Sequence, residues 1–481
     1  MVFSSIIFVI WFLPVFFLFY FGLQYLIPKR KIAVCNSVLL VASLIFYAWD
    51  TPKFLFIMLL SILINYSFGI IIIRNMDKKV KKAALVLSII LNLGLLGYFK
   101  YSDFVIDTAN QCFGSAIPNL KFALPIGISF FTFQGLSYVI DVYREKAEVQ
   151  RSPFKMAIYI SMFPQLIAGP IVRYETICSE INKREMNLQD AVIGLRRFTY
   201  GLAKKVLIAN MLGETADKIF SMEYFDVMHM SAAVAWYGAV CYTMQIYFDF
   251  SGYSDMAIGL GRVMGFHFLE NFDYPYLSRS ITEFWRRWHI SLSSFFRDYV
   301  YIPMGGNRRG NVYIHLIIVF LLTGLWHGAS WTFVLWGAWH GAFILLERGG
   351  VKCNVKTADK GMRSFLSHIW VMLLVTIGWV IFKIEHFSIL ISYLKCMFGF
   401  YRADWVKYKI AFYADRRSIV ILIIAFLLSF NLKGTVRKKM KERMSDQTIQ
   451  LFQNIFSIIL LLLCVITLTN STYNPFIYFK F

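Results

Sequence analysis

The runs at residues 6–27, 32–49, 54–73 and 455–469 constrain this chain most, because each is almost wholly apolar and close to the length that crosses a bilayer. A hydrocarbon core of ~30 Å takes roughly 20 helical residues. Inside it each backbone polar group must be satisfied within its own segment, which a helix achieves. The short alternating segments of a transmembrane β-barrel are not seen. With 58% hydrophobic and 16% charged residues over 481 positions, the chain reads as an all-α polytopic membrane protein. The first run has no basic stretch before it and no small-residue cleavage site after it, so it reads as a retained helix.

The formal net charge is +21, from 49 Lys and Arg against 28 Asp and Glu. These cations are spread between apolar spans. That pattern fits the excess of Lys and Arg in cytoplasmic loops and speaks against a nucleic-acid partner. Anionic lipid headgroups, or an anionic substrate on the inner side, fit better. Putting the basic loops at 29–31, 74–82, 144–155, 348–363 and 433–443 inside leaves both termini outside, together with 100–119 and 214–226. Region 262–309 then falls inside. The basic stretch 383–417 falls outside, against the rule. Residues 163–170 contain Pro164, Gly169 and Pro170, and read as a re-entrant segment beside a cavity or as a kinked span. Span 192–212 is amphipathic through Arg196, Arg197, Lys204 and Lys205. The cysteines at 35, 112, 178, 241, 353, 396 and 464 form no C-x-x-C pair. They suggest neither a disulfide framework nor a metal site, and read as small apolar fillers. No internal repeat or soluble domain is visible, so residues 1–481 read as one integral-membrane domain.

Three blocks hold the candidate chemistry. The first, "FWRRWHISLSSFFRDYVYIPMGGNRRG", starts at Phe284. Read as one helix, it places Trp285, Trp288, His289, Leu292 and Phe296 on one face and Arg286, Ser293 and Arg297 on another. An interfacial helix would show this pattern. So would a docking site for a phosphate-bearing donor, since Arg binds phosphate bidentately. The Gly305-Gly306-Asn307 turn offers loop N–H groups to an anion, but it lacks the Gly-Lys-Ser/Thr ending of a P-loop. The second block, "LTGLWHGASWTFVLWGAWHG", spans 322–341. An ionisable residue at membrane depth is a candidate functional group, and histidine suits proton transfer. On one continuous helix His327 and His340 would lie roughly 140° apart. His327, at the Trp-His-Gly junction, is therefore taken as the cavity residue and His340 as packing or support. A hydrogen-bonded core histidine is the other reading of each. The third block, "YFDFSGYSDMAIGLGRVMGF" at 247–266, carries Asp249 and Asp255, which could orient a His or pair with an Arg. Its glycines have the wrong spacing for a dinucleotide site and suit close helix packing.

Together with "FPQLIAGPIVRY" and "NFDYPYLSRSITEFWRRWHISLSS", these blocks resemble the membrane-bound O-acyltransferase (MBOAT) superfamily, in its alginate and peptidoglycan O-acetyltransferase branch. The resemblance spans about 163–347, within a motif-bearing core of about 123–347. It implies a ring of about 11–13 transmembrane helices with re-entrant segments around a thin core and tunnel, a number the apolar spans accommodate. By that resemblance His327 is the catalytic base and His289 the second recurrent polar position. Trp326, Trp288, Asp298, Asp249 and Asp255 would support them, and Arg286, Arg287, Arg297, Gly305, Gly306 and Asn307 would hold the donor. No bound cofactor or metal is expected; the donor is a cytoplasmic thioester, acetyl-CoA or a similar acyl thioester. The expected partners are membrane lipid, an extracytoplasmic acetyltransferase of the SGNH type and a polysaccharide acceptor that is alginate-, peptidoglycan- or cellulose-like. The expected place is the bacterial inner membrane. D-alanyl transfer to teichoic acid, a transporter or flippase without ester chemistry, and a non-catalytic export scaffold are the rival readings.

Overall fold

Six helical segments are long and apolar enough to cross a membrane: Phe8–Leu26, Pro28–Ala48, Pro52–Arg74, Lys78–Lys100, Ser364–Lys383 and Asp446–Asn470. The computed structural model describes the chain except residues 168, 351–360, 401–405, 432, 433, 435–438, 472 and 478–481, and the side chains of 225 and 363. Cys353 and parts of the basic loops expected at 348–363 and 433–443 lie outside the described residues. Among those described the secondary structure is helical, apart from one isolated bridge between Met230 and Tyr408. Of the remaining expected spans, that at residues 232–250 lies in one 32-residue helix, Ala232–Val263, and the others are shorter or interrupted. Helix Pro153–Ser161 stops at Met162, and a separate short helix, Phe163–Leu166, carries Pro164 in its first turn. The run 188–220 is helical throughout but passes through a π-helical stretch, Lys204–Ala209.

The chain packs as two units. The first comprises residues 1–198 and 253–270 and holds helices α1 (Leu13–Leu26), α2 (Lys31–Ala48), α3 (Leu55–Arg74), α4 (Lys78–Lys100) and α5 (Ile128–Tyr143). Lipid tails give apolar helices little reason to associate, so polar pairs and close backbone approach fasten them. Asn65 of α3 and Asn92 of α4 exchange amide hydrogen bonds of 3.0 and 3.1 Å. Gly135 of α5 leaves the room that the Asn65 amide fills. The buried Arg184 guanidinium donates to Met264 O, Asn36 Oδ1 and the Tyr20 hydroxyl at 3.0, 2.8 and 2.9 Å. Gly194 and Gly259 meet backbone to backbone, each so close that a Cβ would lie 2.6 Å from the other's carbonyl oxygen. Gly259 of the third block thus serves helix packing, whereas Gly265 takes a φ of 83° in the turn after the helix.

The second unit comprises residues 199–252 and 271–481. Helix α6 (Ala232–Val263) supplies its residues up to Gly252. After it come α7 (Ile281–Arg287), α8 (Ile290–Phe296), α9 (Val312–His327), α10 (Trp331–Arg348), α11 (Met362–Lys383) and α12 (Asp446–Asn470). Helices α9 and α10 form a close antiparallel hairpin because small residues face each other. A Cβ on Gly324 or on Gly337 would lie 3.3 Å from the other's Cα, and would press on the Phe333 or Phe320 carbonyl.

Candidate active site

His327 ends α9, and Gly328 carries the chain out of the helix in an extended conformation before Ser330 caps α10. The Ser330 hydroxyl accepts the Thr332 N–H at 3.3 Å, satisfying one of the donors left open at a helix start. The imidazole is buried, and three rings stand edge-on to it: Trp326 at 4.9 Å, Trp336 at 5.0 Å and Phe382 of α11 at 5.2 Å.

His289 reaches the same cluster by a different route. Residues 284–296 do not form the single helix read from their spacing. The backbone breaks at His289, which adopts a left-handed conformation (φ 44°, ψ 54°) between α7 and α8. Such a conformation costs a non-glycine residue roughly 1–3 kcal/mol and persists only where the surroundings over-determine it. Here Asn271 does so. Its carbonyl accepts the Ile290 N–H at 3.0 Å. Its Oδ1 accepts the Ser291 N–H and hydroxyl at 3.1 and 2.9 Å. An oxygen so engaged is an acceptor, so His289 Nδ1 carries the proton and donates to it at 3.2 Å. The lone pair is then on Nε2, where this ring has no N–H to give. Burial pushes the imidazole down to about 3, which keeps it neutral. Asn271 lies 18 residues before His289, and no local spacing signals its role.

The two histidines are linked by Trp326, whose indole lies 5.8 Å from the His289 ring and 4.9 Å from the His327 ring. Trp336 likewise stands between His327 and His340, 5.0 Å from each. Five rings thus alternate: His289, Trp326, His327, Trp336, His340. The angular argument that separated His327 from His340 holds for one continuous helix, but they sit on the two arms of a hairpin. His340 is fully buried against Phe284, Trp285 and Trp336, and neither of its nitrogens has a hydrogen-bond partner among the described residues. Gly378 makes its room, since a Cβ there would lie 2.8 Å from His340 Nε2.

Several expected site residues lie elsewhere. Asp249 forms a buried ion pair with Lys205 at 2.7 Å and accepts the Ile477 N–H at 3.1 Å. Lys205 also donates to Pro475 O. Asp255, in the first unit, pairs with Arg197 at 2.8 Å. Neither carboxylate is hydrogen-bonded to a histidine in any of these contacts. Trp288 packs on Trp379, Phe272 and Phe284, at 4.8, 5.0 and 5.6 Å. Asp298 pairs with Arg297 at 2.7 Å.

The donor residues divide. Arg287 is held by Glu283 and Asp273 at 3.0 and 3.2 Å, and Arg297 by Asp298, so both cations are already compensated. Arg286, Arg308 and Arg309 are exposed, and among the described residues none of them has an ion pair. The Gly305–Gly306 amides are not open to an anion. Gly305 N–H donates to Ile302 O and Gly306 N–H to Tyr301 O, while those of Arg308 and Arg309 return to Gly305 O. The Asn307 side-chain oxygen accepts from the Tyr301 hydroxyl and from Arg348, at 2.7 and 2.9 Å.

The contact between Asn307 and Arg348 puts the basic loop at the open end of the α9–α10 hairpin, with His327 at its closed end. A helix of 16 residues, the length of α9, is ~24 Å long at about 1.5 Å per residue. Phe382, beside His327, precedes Lys383, which pairs with Asp217. Asp217 also accepts from the Tyr473 hydroxyl. Nearby, Asn210, Glu214, Arg417, Asn470, Ser471 and Tyr473 line a cavity of about 410 Å³. Among the described residues no cluster of His, Cys, Asp and Glu gathers as metal ligands would.

A family model described as MBOAT, the membrane-bound O-acyltransferase family, matches residues 44–390. The chain is 40% identical to the probable alginate O-acetylase AlgI of Pseudomonas putida, over 100% of both chains. It is 35% identical to the peptidoglycan O-acetyltransferase of Helicobacter pylori, over 83% of this chain and 80% of that one. With the teichoic acid D-alanyltransferase of Bacillus subtilis it shares 30% identity over 43% of this chain and 54% of that one. A helical multi-pass architecture, a histidine at the end of a short apolar helix and these matches agree: the chain belongs to the membrane-bound O-acyltransferase family and is an integral-membrane O-acyltransferase.

Proposed function

We propose that this chain takes an acetyl group from a cytoplasmic thioester, acetyl-CoA, and passes it across the bacterial inner membrane for O-acetylation of an extracytoplasmic polysaccharide. The observation that carries this is the placement of His327: buried at the closed end of the hairpin, a helix length from the exposed Arg308 and Arg309 at its open end. Coenzyme A has its phosphates and its thioester at opposite ends of a long arm, and such an arrangement suits it. Asp217, Lys383 and Tyr473, from segments expected outside, meet near the His327 end, which favours an outward acceptor. The alginate and peptidoglycan acetylases cover all or most of this chain, whereas the D-alanyltransferase match covers 43%. Acetyl is therefore preferred over D-alanyl.

In this reading the His327 imidazole takes the proton from the acceptor hydroxyl as general base. The freed oxygen bonds to the thioester carbonyl carbon, the C–S bond breaks, and the departing sulfur takes the proton from the imidazolium. The products are an ester and a free thiol. The Trp326 indole N–H, a donor only, suits the oxyanion. His289, with its lone pair on Nε2, suits an acceptor role. In this scheme an extracytoplasmic partner of the SGNH type acts on the polymer.

The test is base-labile acetate on surface polymers from wild type, a deletion strain, and the deletion complemented with His327→Ala at equal membrane level. Loss of ester acetate from one polymer in the last two strains supports the reading and identifies the acceptor. Full restoration by His327→Ala overturns the assigned role of His327.

A further inference from the structure

We infer that the rings around His327 form a rigid collar that selects the acyl group by length, admitting acetyl and turning away longer chains. This rests on the acyl-transfer reading and adds the residues that set its donor specificity. The first layer is Trp326, Trp336 and Phe382, all within 5.2 Å of the imidazole, ring centre to ring centre. All three rings are at most 4% exposed, so none has open space to swing into. A second layer holds the first. Phe333 meets Phe382 edge-on at 5.0 Å, and Trp379 lies 5.6 Å from Phe382 and 5.9 Å from Trp336. Phe333 is itself buried, and its ring occupies the place where a side chain at Gly328 would be.

Packing of this density tolerates few added atoms. Forcing extra methylenes into a filled site costs free energy because its neighbours cannot move aside. An acyl group attacked next to His327 has its carbonyl carbon fixed by the chemistry. Carbons beyond the acetyl methyl that run toward Trp326, Trp336 or Phe382 meet a filled wall. A pocket with fixed walls discriminates against one added methylene by roughly 10- to 200-fold. A collar of mobile aliphatic side chains would not hold such a limit.

The experiment is a competition in membranes of the deletion strain carrying the full-length chain, which retain the native acceptors. An equimolar mixture of acetyl-, propionyl- and butyryl-CoA is supplied, and the acyl groups released from ester by mild base are quantified together. The readout is a ratio within one preparation, so a lower amount of folded variant does not alter it. Wild type should favour acetyl over propionyl by about 10-fold or more. Phe382→Ala should raise the propionyl-to-acetyl ratio by about 10-fold or more, and Phe333→Ala, one layer out, by less. Phe382→Tyr, which keeps the ring, should leave the ratio near wild type. If wild type uses butyryl as readily as acetyl, or if Phe382→Ala transfers acetyl with an unchanged ratio, the collar is not the selector. If wild type transfers none of the three, the acyl-transfer reading itself fails.

Discussion

Replacing Lys205 by Met isolates the structural role of Asp249, which the sequence suggested as a partner for a catalytic group. The Lys205–Asp249 pair is 2.7 Å long, with the two side chains 3% and 1% exposed. Solvent does not screen such a pair, and removing one member leaves the other charge buried without its counter-ion. Breaking a buried pair in this way costs about 3–5 kcal/mol. At roughly 2–4 °C per kcal/mol for a unit of 150–250 residues, the midpoint of thermal unfolding should fall by about 6–20 °C. Adding Asp249→Asn removes the orphaned charge while keeping an oxygen for the Ile477 N–H, now at 3.1 Å from the carboxylate. The double variant should therefore regain most of the loss, because buried ion pairs replaced as pairs are often neutral. The assay is the fraction of detergent-solubilised protein that stays monodisperse after a series of heating steps, with ester acetate measured alongside. A double variant no more stable than Lys205→Met alone would refute the argument. So would a Lys205→Met protein of wild-type stability that has lost activity, since that outcome makes the pair catalytic.

Asn271→Ala should remove the acceptor shared by the Ser291 N–H, the Ser291 hydroxyl and His289 Nδ1, at about 1–3 kcal/mol for a buried donor that loses its acceptor, and lower ester acetate more than the nearby Ser294→Ala; equal effects would remove Asn271 from the site. Gly337→Ala should force α9 and α10 apart, and because a displacement of ~1 Å at reacting groups can cost about 100-fold in rate, acetyl transfer should fall while membrane level is kept, as read by immunoblot and ester acetate. Arg308→Ala with Arg309→Ala should raise KM for acetyl-CoA but not for a short acetyl thioester without phosphates, whereas Arg297→Ala, already neutralised by Asp298, should change neither. The His289 imidazole is held at about 3, below its ordinary value near 6.5, so it binds fewer protons in the folded state than in the unfolded one. Its share of stability is full above pH ~6.5 and is lost as pH falls toward 3, and an activity limb near neutral pH should keep its midpoint in His289→Gln.

How much was legible depended on whether the deciding interaction was local. The strongly apolar helices and the Trp-His-Gly junction announce themselves because hydropathy and a breaking glycine act within a few positions. The break at His289 does not. Every residue from Phe284 to Phe296 suits a helix, and the interruption is imposed by Asn271, 18 positions earlier, through its carbonyl and side-chain oxygen. The Gly305–Gly306 turn was readable as a turn from its two glycines. The direction of its amides was not, because that depends on where the carbonyls of Tyr301 and Ile302 come to lie. The choice of Lys205 as the counter-ion of Asp249 is likewise tertiary: nothing in the local spacing distinguishes it from Lys204.

The hairpin explains how one short basic and aromatic region can serve two purposes. Starting from the open end, where Glu347 accepts the Thr282 N–H at 3.0 Å, α7 carries the chain past Trp336 and His340 to His289. Helix α8 and the π-helical stretch Arg297–Tyr301 then return it to the basic loop. A single continuous helix over 284–296 would have carried the arginines away from the start of the segment, along with His289. The left-handed residue reverses the path instead, so that the neutral histidine stays in the aromatic layer and the exposed arginines return toward water. The hydrogen bonds of Asn271 hold this reversal and offset the roughly 1–3 kcal/mol of strain at His289.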